Sequence, residues 1–480
     1  MSIALENLRH FYVNGAWVAP LSAATMPVVN PATENQIATV ALGNADDVDR
    51  AVAAASAAFE SYATSTKQDR LALLQNLKRV TQDRFEDLAQ AMRMEMGAPI
   101  SMARDAQADA AVGHLQGFID ALEHLEERQV LTNGDILLRE PIGVCGLITP
   151  WNWPMNQIAL KVIPALAAGC TCVLKPSEHT PISAMVYAEI IAEAGYPPGV
   201  FNLVNGDGVT VGAAMSRHPD IQMMSFTGST RAGIAITRDA ADTVKRVTLE
   251  LGGKSPNLVF ADCDLQAQVT ASVQECMYNT GQSCDAPTRM LVEQSCYDAA
   301  LTIARQAAED MSVGDPSVEG DHIGPLFDQI QFDRVQTMIK VGIDEGATVL
   351  TGGPGKPDGF EKGYFVKPTI FADVTNDMRI AQEEIFGPVL VIIPFATEDE
   401  AVRLSNDTPY GLAAYVQTGN TASAERVAAR LRAGAIHING AAFNYGSPFG
   451  GYKQSGNGRE GGMMGLEDYL ETKTLHGLEK

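Results

Sequence analysis

IGVCGLIT (142–149), TCVLK (171–175), VFNLV (200–204), QMMSF (222–226) and RVTLEL (246–251) are five short apolar runs that recur at regular intervals. Between them lie MNQIALKVIPALAAG (155–169), ISAMVYAEIIAEAG (182–195), TVGAAMSRH (210–218) and TRAGIAITRDAA (230–241), which carry apolar residues at helical spacing. Strand, helix, strand in this rhythm predicts right-handed crossovers and a parallel sheet with helices on both faces. Ligands of such sheets bind beyond the carboxyl ends of the strands. Three strand ends are therefore informative: TPWNWP (149–154), KPSE (175–178) and TGSTRAG (227–233). In the last, Gly228, Ser229 and Gly233 form a candidate phosphate cradle, because a glycine turn lets backbone amides and a helix N-terminus approach an anion. Its G-x-x-x-x-G spacing equally fits a glycine-capped turn with no ligand.

Working outward, a second alternating region runs from about Pro256 to Gly440, through SPNLVF, APTRMLVEQ, a helix over Phe327 to Glu345, ATVLTGG, GPVLVIIPF, LAAYVQT and GAIHING. It predicts a second α/β unit. Ahead of the first region, FYVNGAWV (11–18) reads as a hairpin around Asn14-Gly15, and two or three long helices are expected between Asp46 and Glu126. One of them spans the periodic stretch from Arg70 to Gly97. Near the C-terminus, LEDYLETK suits either a late strand or a short amphipathic helix.

The 480 residues are too many for one small core, and 46% apolar with 19% charged residues is ordinary globular composition. A net charge of −23 disfavours nucleic acid and anionic membranes as partners. Seven scattered cysteines without CxxC spacing imply a reducing cytoplasm, and no apolar run approaches the ~18 residues of a membrane helix. The eight histidines show no paired ligand spacing, so no metal is expected.

One cysteine stands apart. In TGQSCDAPTR (280–289), Cys284 comes after a helical pattern that Gly281 and Pro287 end, which places it on a loop. Such a cysteine is an inert hydrophobe, a metal ligand, a disulfide partner or a nucleophile.

Taken in order, TPWNWP, KPSE, FTGSTRAG, LELGGKSP, NTGQSCDAPTR, QEEIFGPV and SPFGGYKQSGNGRE resemble the NAD(P)-dependent aldehyde dehydrogenase superfamily, of the hydrolytic, acid-forming kind. The resemblance implies a Rossmann-like cofactor domain (1–122 and 142–251), an α/β catalytic domain (252–450) and a small β oligomerisation segment (123–141 and 464–480). It implies Cys284 as nucleophile, Asn152 as oxyanion donor with the Cys284 amide, and Glu250 as general base. Lys161 and Glu460 match a proton path behind Glu250, although an ordinary ion pair fits them equally. Around the cofactor it implies Thr149, Trp151, Lys175, Ser177, Glu178, Gly208, Gly228, Ser229, Leu251, Glu384 and Phe386. A carboxylate at Glu178 opposes a 2′-phosphate, so NAD is expected over NADP, with NADP left open because relatives carrying this glutamate use both.

Substrate-lining positions by family match are Trp151, Trp153, Met155 and Phe443, with Ser283 and Asp285 beside the nucleophile. Asp285 departs from the small or amide residue usual there: it either points away or meets a polar or cationic part of the substrate. Arg246, Arg459 and Glu471 match a contact in which the C-terminal carboxylate of one subunit bridges two arginines of its neighbour, in a homodimer or homotetramer. Two other readings stay in view: transfer of the acyl group to coenzyme A, which the presence of Glu250 opposes, and an inactive structural relative, which the joint presence of Cys284, Asn152 and Glu250 opposes.

Overall fold

A computed structural model describes residues 4–478. Residues 1–3 and 479–480, the outer ends of the expected segments 1–122 and 464–480, lie outside the described residues. Two sheets dominate. In the first, Arg246–Glu250, Met223–Thr227, Val144–Ile148, Thr171–Lys175 and Phe201–Leu203 lie side by side and parallel. These are the five apolar runs of the repeating region. All but the first are buried along their whole length, as strands covered on both faces must be.

The hairpin Phe11–Val13/Ala16–Val18 closes one edge of this sheet through Tyr12 opposite Leu203, and Asn14 and Gly15 both take positive φ in its turn. At the other edge Gly456–Asn457 pairs antiparallel with the end of the Glu250 strand. That pairing brings the C-terminal part of the chain against Glu250.

The second sheet has seven strands, with Pro256–Val259 and Arg289–Glu293 at its centre and all pairs parallel except Thr348–Thr351 with Thr369–Ala372. Separate apolar clusters fill both faces of each sheet. Three smaller strands, Leu470–Leu475, Ile136–Pro141 and Arg128–Val130, form a third sheet.

The structure corrects the sequence reading in several places. The helix expected from Arg70 to Gly97 is two helices, Lys67–Asp83 and Phe85–Glu95, because Arg84 leaves helical geometry and its guanidinium binds Asp87, Glu189 and Glu193. Of the two alternatives for LEDYLETK the strand holds: Leu470–Leu475 pairs with Ile136–Pro141 of the same chain, and only Leu466 and Glu467 belong to the end of the preceding helix Gly462–Glu467. The hairpin Thr25–Asn30/Asn35–Ala41 and the strand Thr369–Ala372 had no reading in the sequence. Among the described residues, no helix is long and apolar enough to cross a membrane.

Candidate active site

The helix before Cys284 is Leu265–Met277, so it ends four residues earlier than Gly281. Beyond it the chain enters a tight turn in which Asn279 (φ 52°), Thr280 (φ 58°) and Gly281 (φ 69°) are all left-handed. A β-branched residue in that region is strained, so the surroundings must hold it there. Asn279 Nδ2 donates to Asn152 O (2.9 Å) and Gln282 O (3.2 Å), and Thr280 Oγ1 donates to Gly324 O (3.1 Å). Gln282 Nε2 donates to Asn279 O (3.0 Å), while its Oε1 accepts from the Phe327 amide (3.0 Å). The loop carrying Cys284 is thus fixed from both sheets. A Cβ at Gly281 would lie 2.1 Å from Gly387 O, on top of its positive φ. Gly281→Ala is therefore expected to cost about 1–3 kcal/mol and lower the melting temperature, measurable by thermal denaturation.

Asn152 lies just beyond the strand Val144–Ile148, and one of its two side-chain N–H groups donates to Gln282 O (2.9 Å). The other N–H remains for a ligand beside Cys284. Glu250 ends its strand, is buried, and has neither carboxylate oxygen hydrogen-bonded. Burial pushes its carboxyl well above the usual range; the charge of Glu460 adds to this, and Lys161 and Arg459 oppose it. Lys161 and Glu460, both buried, form an ion pair behind it. Burial also raises the half-buried Cys284 thiol, with Asp285, Glu384 and Glu250 raising it further.

Two cavities meet at Cys284. One, of about 170 Å³, is lined by Trp151, Asn152, Gly228, Ser229, Glu250, Leu251, Cys284, Glu384 and Phe386. The other, of about 220 Å³, is lined by Trp153, Ser283, Cys284, Asp285 and Phe443 together with Gln157, Tyr278, Glu275, Tyr445 and Phe449. The first contains most of the residues expected to hold the nucleotide, and the second most of those expected to hold the substrate.

In the first cavity Glu384 Oε1 accepts from the Gly253 amide (3.0 Å), and burial raises its carboxyl to about 7. A Cβ at Gly252 would sit 2.3 Å from Glu384 Oε2, so a larger residue there would push this carboxylate aside. Ser229 caps the helix Thr230–Ala240, and Gly228 N donates to Glu250 O (3.0 Å). Gly233, in contrast, serves packing: a Cβ would press on Leu251.

Lys175 is buried, its ammonium held by Pro176 O (2.9 Å), Gly206 O (2.7 Å) and Glu178 (3.2 Å). Thr149 N donates to Lys175 O, and Ser177 Oγ accepts from the His179 amide. Gly208 opens the exposed turn Gly208–Gly212, whose Gly212 approaches Lys175. Val209 on that turn is 87% exposed and Ile234 on the neighbouring helix 47%. Two apolar side chains left bare above this strand end suit a flat, apolar ring. Sequence reasoning passed over both because each reads as an ordinary apolar position of its helix. A cleft with a glycine turn, a helix N-terminus, a buried lysine and bare apolar residues fits a dinucleotide.

Two expectations fail here. Met155 is fully buried in the first apolar cluster and does not reach the substrate cavity, because it lies on the core face of the helix Pro154–Ala168. Trp151 lines the nucleotide-side cavity and stacks on Phe327 at 3.6 Å, so only Trp153 of the pair faces the substrate, with its Nε1 donating to Ser283 Oγ (2.8 Å). Within the chain, Glu471 reaches Arg246 (2.9 Å), and Arg459 Nη1 donates to Gly451 O and Gly458 O.

A model of the aldehyde dehydrogenase family matches residues 17–475. The chain belongs to the aldehyde dehydrogenase family. It is 50% identical over 99% of its length to the whole of 3-succinoylsemialdehyde-pyridine dehydrogenase from a Pseudomonas species. Aldehyde dehydrogenase from Bartonella henselae superposes with a TM-score of 0.96 at 51% identity, covering 97% of this chain and 98% of that one. A cysteine-to-alanine variant of aldehyde dehydrogenase C from Pseudomonas syringae, in complex with NAD+ and octanal, superposes at 0.97 with 51% identity, covering 98% and 97%. This protein is accordingly an NAD(P)-dependent aldehyde dehydrogenase in fold and class.

Proposed function

We infer that this aldehyde dehydrogenase oxidises an aldehyde to its carboxylic acid through an acyl group carried on Cys284 and released by water. The observation that carries this reading is the position of Cys284 in the wall of both cavities, where one thiol touches the space for the nucleotide and the space for the aldehyde. The Cys284 thiolate adds to the carbonyl carbon, and the free N–H of Asn152 with the Cys284 amide receives the oxyanion. When bound, NAD supplies the hydride acceptor for the oxidation. Lys175, Glu178, Gly228, Ser229, Glu384 and Phe386 would hold it. Relatives crystallised with NAD+ support NAD as the cofactor. Glu250 then takes a proton from the water that attacks the thioester, and its raised proton affinity makes it a stronger base once deprotonated.

The residue ranges given above for the cofactor domain, catalytic domain and oligomerisation segment, a cytoplasmic location and a homodimeric or homotetrameric state belong to the same proposal. Relatives named for a pyridine-bearing semialdehyde and crystallised with octanal support a carbon chain of several atoms as substrate. A panel of aldehydes with NAD, monitored by NADH absorbance with and without coenzyme A, tests the function. Absence of NADH from every aldehyde refutes it, and dependence on coenzyme A refutes hydrolysis.

The pH dependence comes from the two raised groups. Cys284 must lose its proton to attack and Glu250 to act as base, and both hold it more tightly than usual. Both active forms therefore grow as pH rises. kcat/KM is expected to increase from neutral into alkaline pH, as a pH–rate profile between about pH 6 and 10 would show.

A further inference from the structure

The cavity on the substrate side of Cys284 has an unusual charge balance. Asp285, next to the nucleophile, and Glu275, from the helix Leu265–Met277, both line it, and no lysine or arginine among its described lining residues answers them. No other side chain among the described residues hydrogen-bonds the Asp285 carboxylate, which meets only its own backbone amide, while its backbone oxygen accepts from Tyr415 Oη at 3.1 Å. Gln157, 5% exposed and also lining the cavity, has its amide oxygen without a partner. Two carboxylates thus line one space, Glu275 at its exposed side, and the buried Gln157 oxygen stands unpaired in the same wall. Between and around them stand aromatic rings, those of Trp153, Tyr278 and Phe443 among them.

The basic side chain whose field reaches both carboxylates is His437, which stacks on Tyr415 at 4.8 Å and is directed through Nδ1 to Ala441 O (3.0 Å). It lies outside the cavity lining, so it does not fill the role of a partner.

We propose that this cavity selects aldehydes carrying a positively charged group, an ammonium or a protonated heteroaromatic nitrogen, which Asp285 receives with support from Glu275, Gln157 and the aromatic walls. The proposal rests on the aldehyde dehydrogenase reading above and names the substrate class for it. Carboxylates and ring faces both attract a cation, and a neutral chain would displace water from Asp285 without replacing its contacts. Asp285 also works against the thiolate of Cys284, as does Glu384. A cation lodged beside Asp285 cancels that opposition when the correct substrate is bound. The same contact then binds the substrate and eases formation of the nucleophile.

The test compares trimethylammonio-butanal with its uncharged isostere, in which carbon replaces nitrogen, by kcat/KM with NAD. The wild-type enzyme should favour the cation by about tenfold or more, which is ~1.4 kcal/mol. That ratio should fall towards one in Asp285→Asn and fall by a smaller factor in Glu275→Gln, and it should shrink with added salt. A wild-type ratio at or below one overturns the proposal, as does a ratio unchanged in soluble Asp285→Asn. Should Asp285→Asn not fold, an unchanged ratio in Glu275→Gln together with an absence of salt dependence overturns it. NADH from the uncharged aldehyde, or from other members of the aldehyde panel, without NADH from the cation refutes the cation assignment and leaves the dehydrogenase reading standing, whereas NADH from no aldehyde of the panel refutes that reading as a whole.

Discussion

Replacing Cys284 by alanine is expected to abolish NADH production, by at least about 10⁴-fold in kcat/KM, while NAD still binds. The reason lies in the division of the site. The nucleotide-side residues Lys175, Gly228, Ser229 and Glu384 are held by their own strands and turns, and none hydrogen-bonds to the Cys284 side chain. Removing Sγ therefore takes away the atom that forms the covalent adduct and leaves the cradle in place. Titration calorimetry with NAD and a steady-state assay on the same preparation separate the two effects. Retained turnover would show that another group carries the acyl intermediate.

The second large effect is expected at Glu250. Glu250→Gln keeps the shape and loses the base, so a first equivalent of NADH should form while steady turnover drops about 10²–10⁴-fold. Stopped-flow absorbance would show the burst. Burial favours this outcome: the carboxyl has no hydrogen-bond partner among the described residues, and an amide there leaves no broken pair behind. The variant should fold. If no burst forms, Glu250 acts before the oxidation, as the group that takes the proton from Cys284.

Much of this site was legible in the chain because it lies at strand ends, where sequence is most explicit. The runs ending at Ile148, Lys175, Thr227 and Glu250 are strands, and Asn152, Lys175, Gly228 and Glu250 stand at or just beyond their carboxyl ends. The alternation of apolar run and helix gave their order in the sheet no direct signature, but it gave their direction, and direction is what gathers strand ends on one side. What escaped depends on packing at a distance. Met155 and Trp153 lie two residues apart, yet one joins the core and the other the cavity, because the helix Pro154–Ala168 turns between them. The break at Arg84 depends on Glu189 and Glu193, more than a hundred residues away, and no local pattern announces it. Strain at Thr280 was equally hidden, since a β-branched residue signals extended backbone and not positive φ.

Cys284 belongs to the boundary of both cavities, and this has a consequence for the traffic of molecules through the enzyme. On the reading proposed above, an acyl group on sulfur would occupy the compartment of Trp153 and Phe443, and the nucleotide would leave from that of Gly228 and Glu384. Departure through one opening need not disturb the occupant of the other. Clearing that side, where Glu250 lines the wall, would open the space from which water could reach the thioester. One atom of sulfur, set in a shared partition, would thereby let the redox and hydrolytic halves of the reaction draw on separate openings.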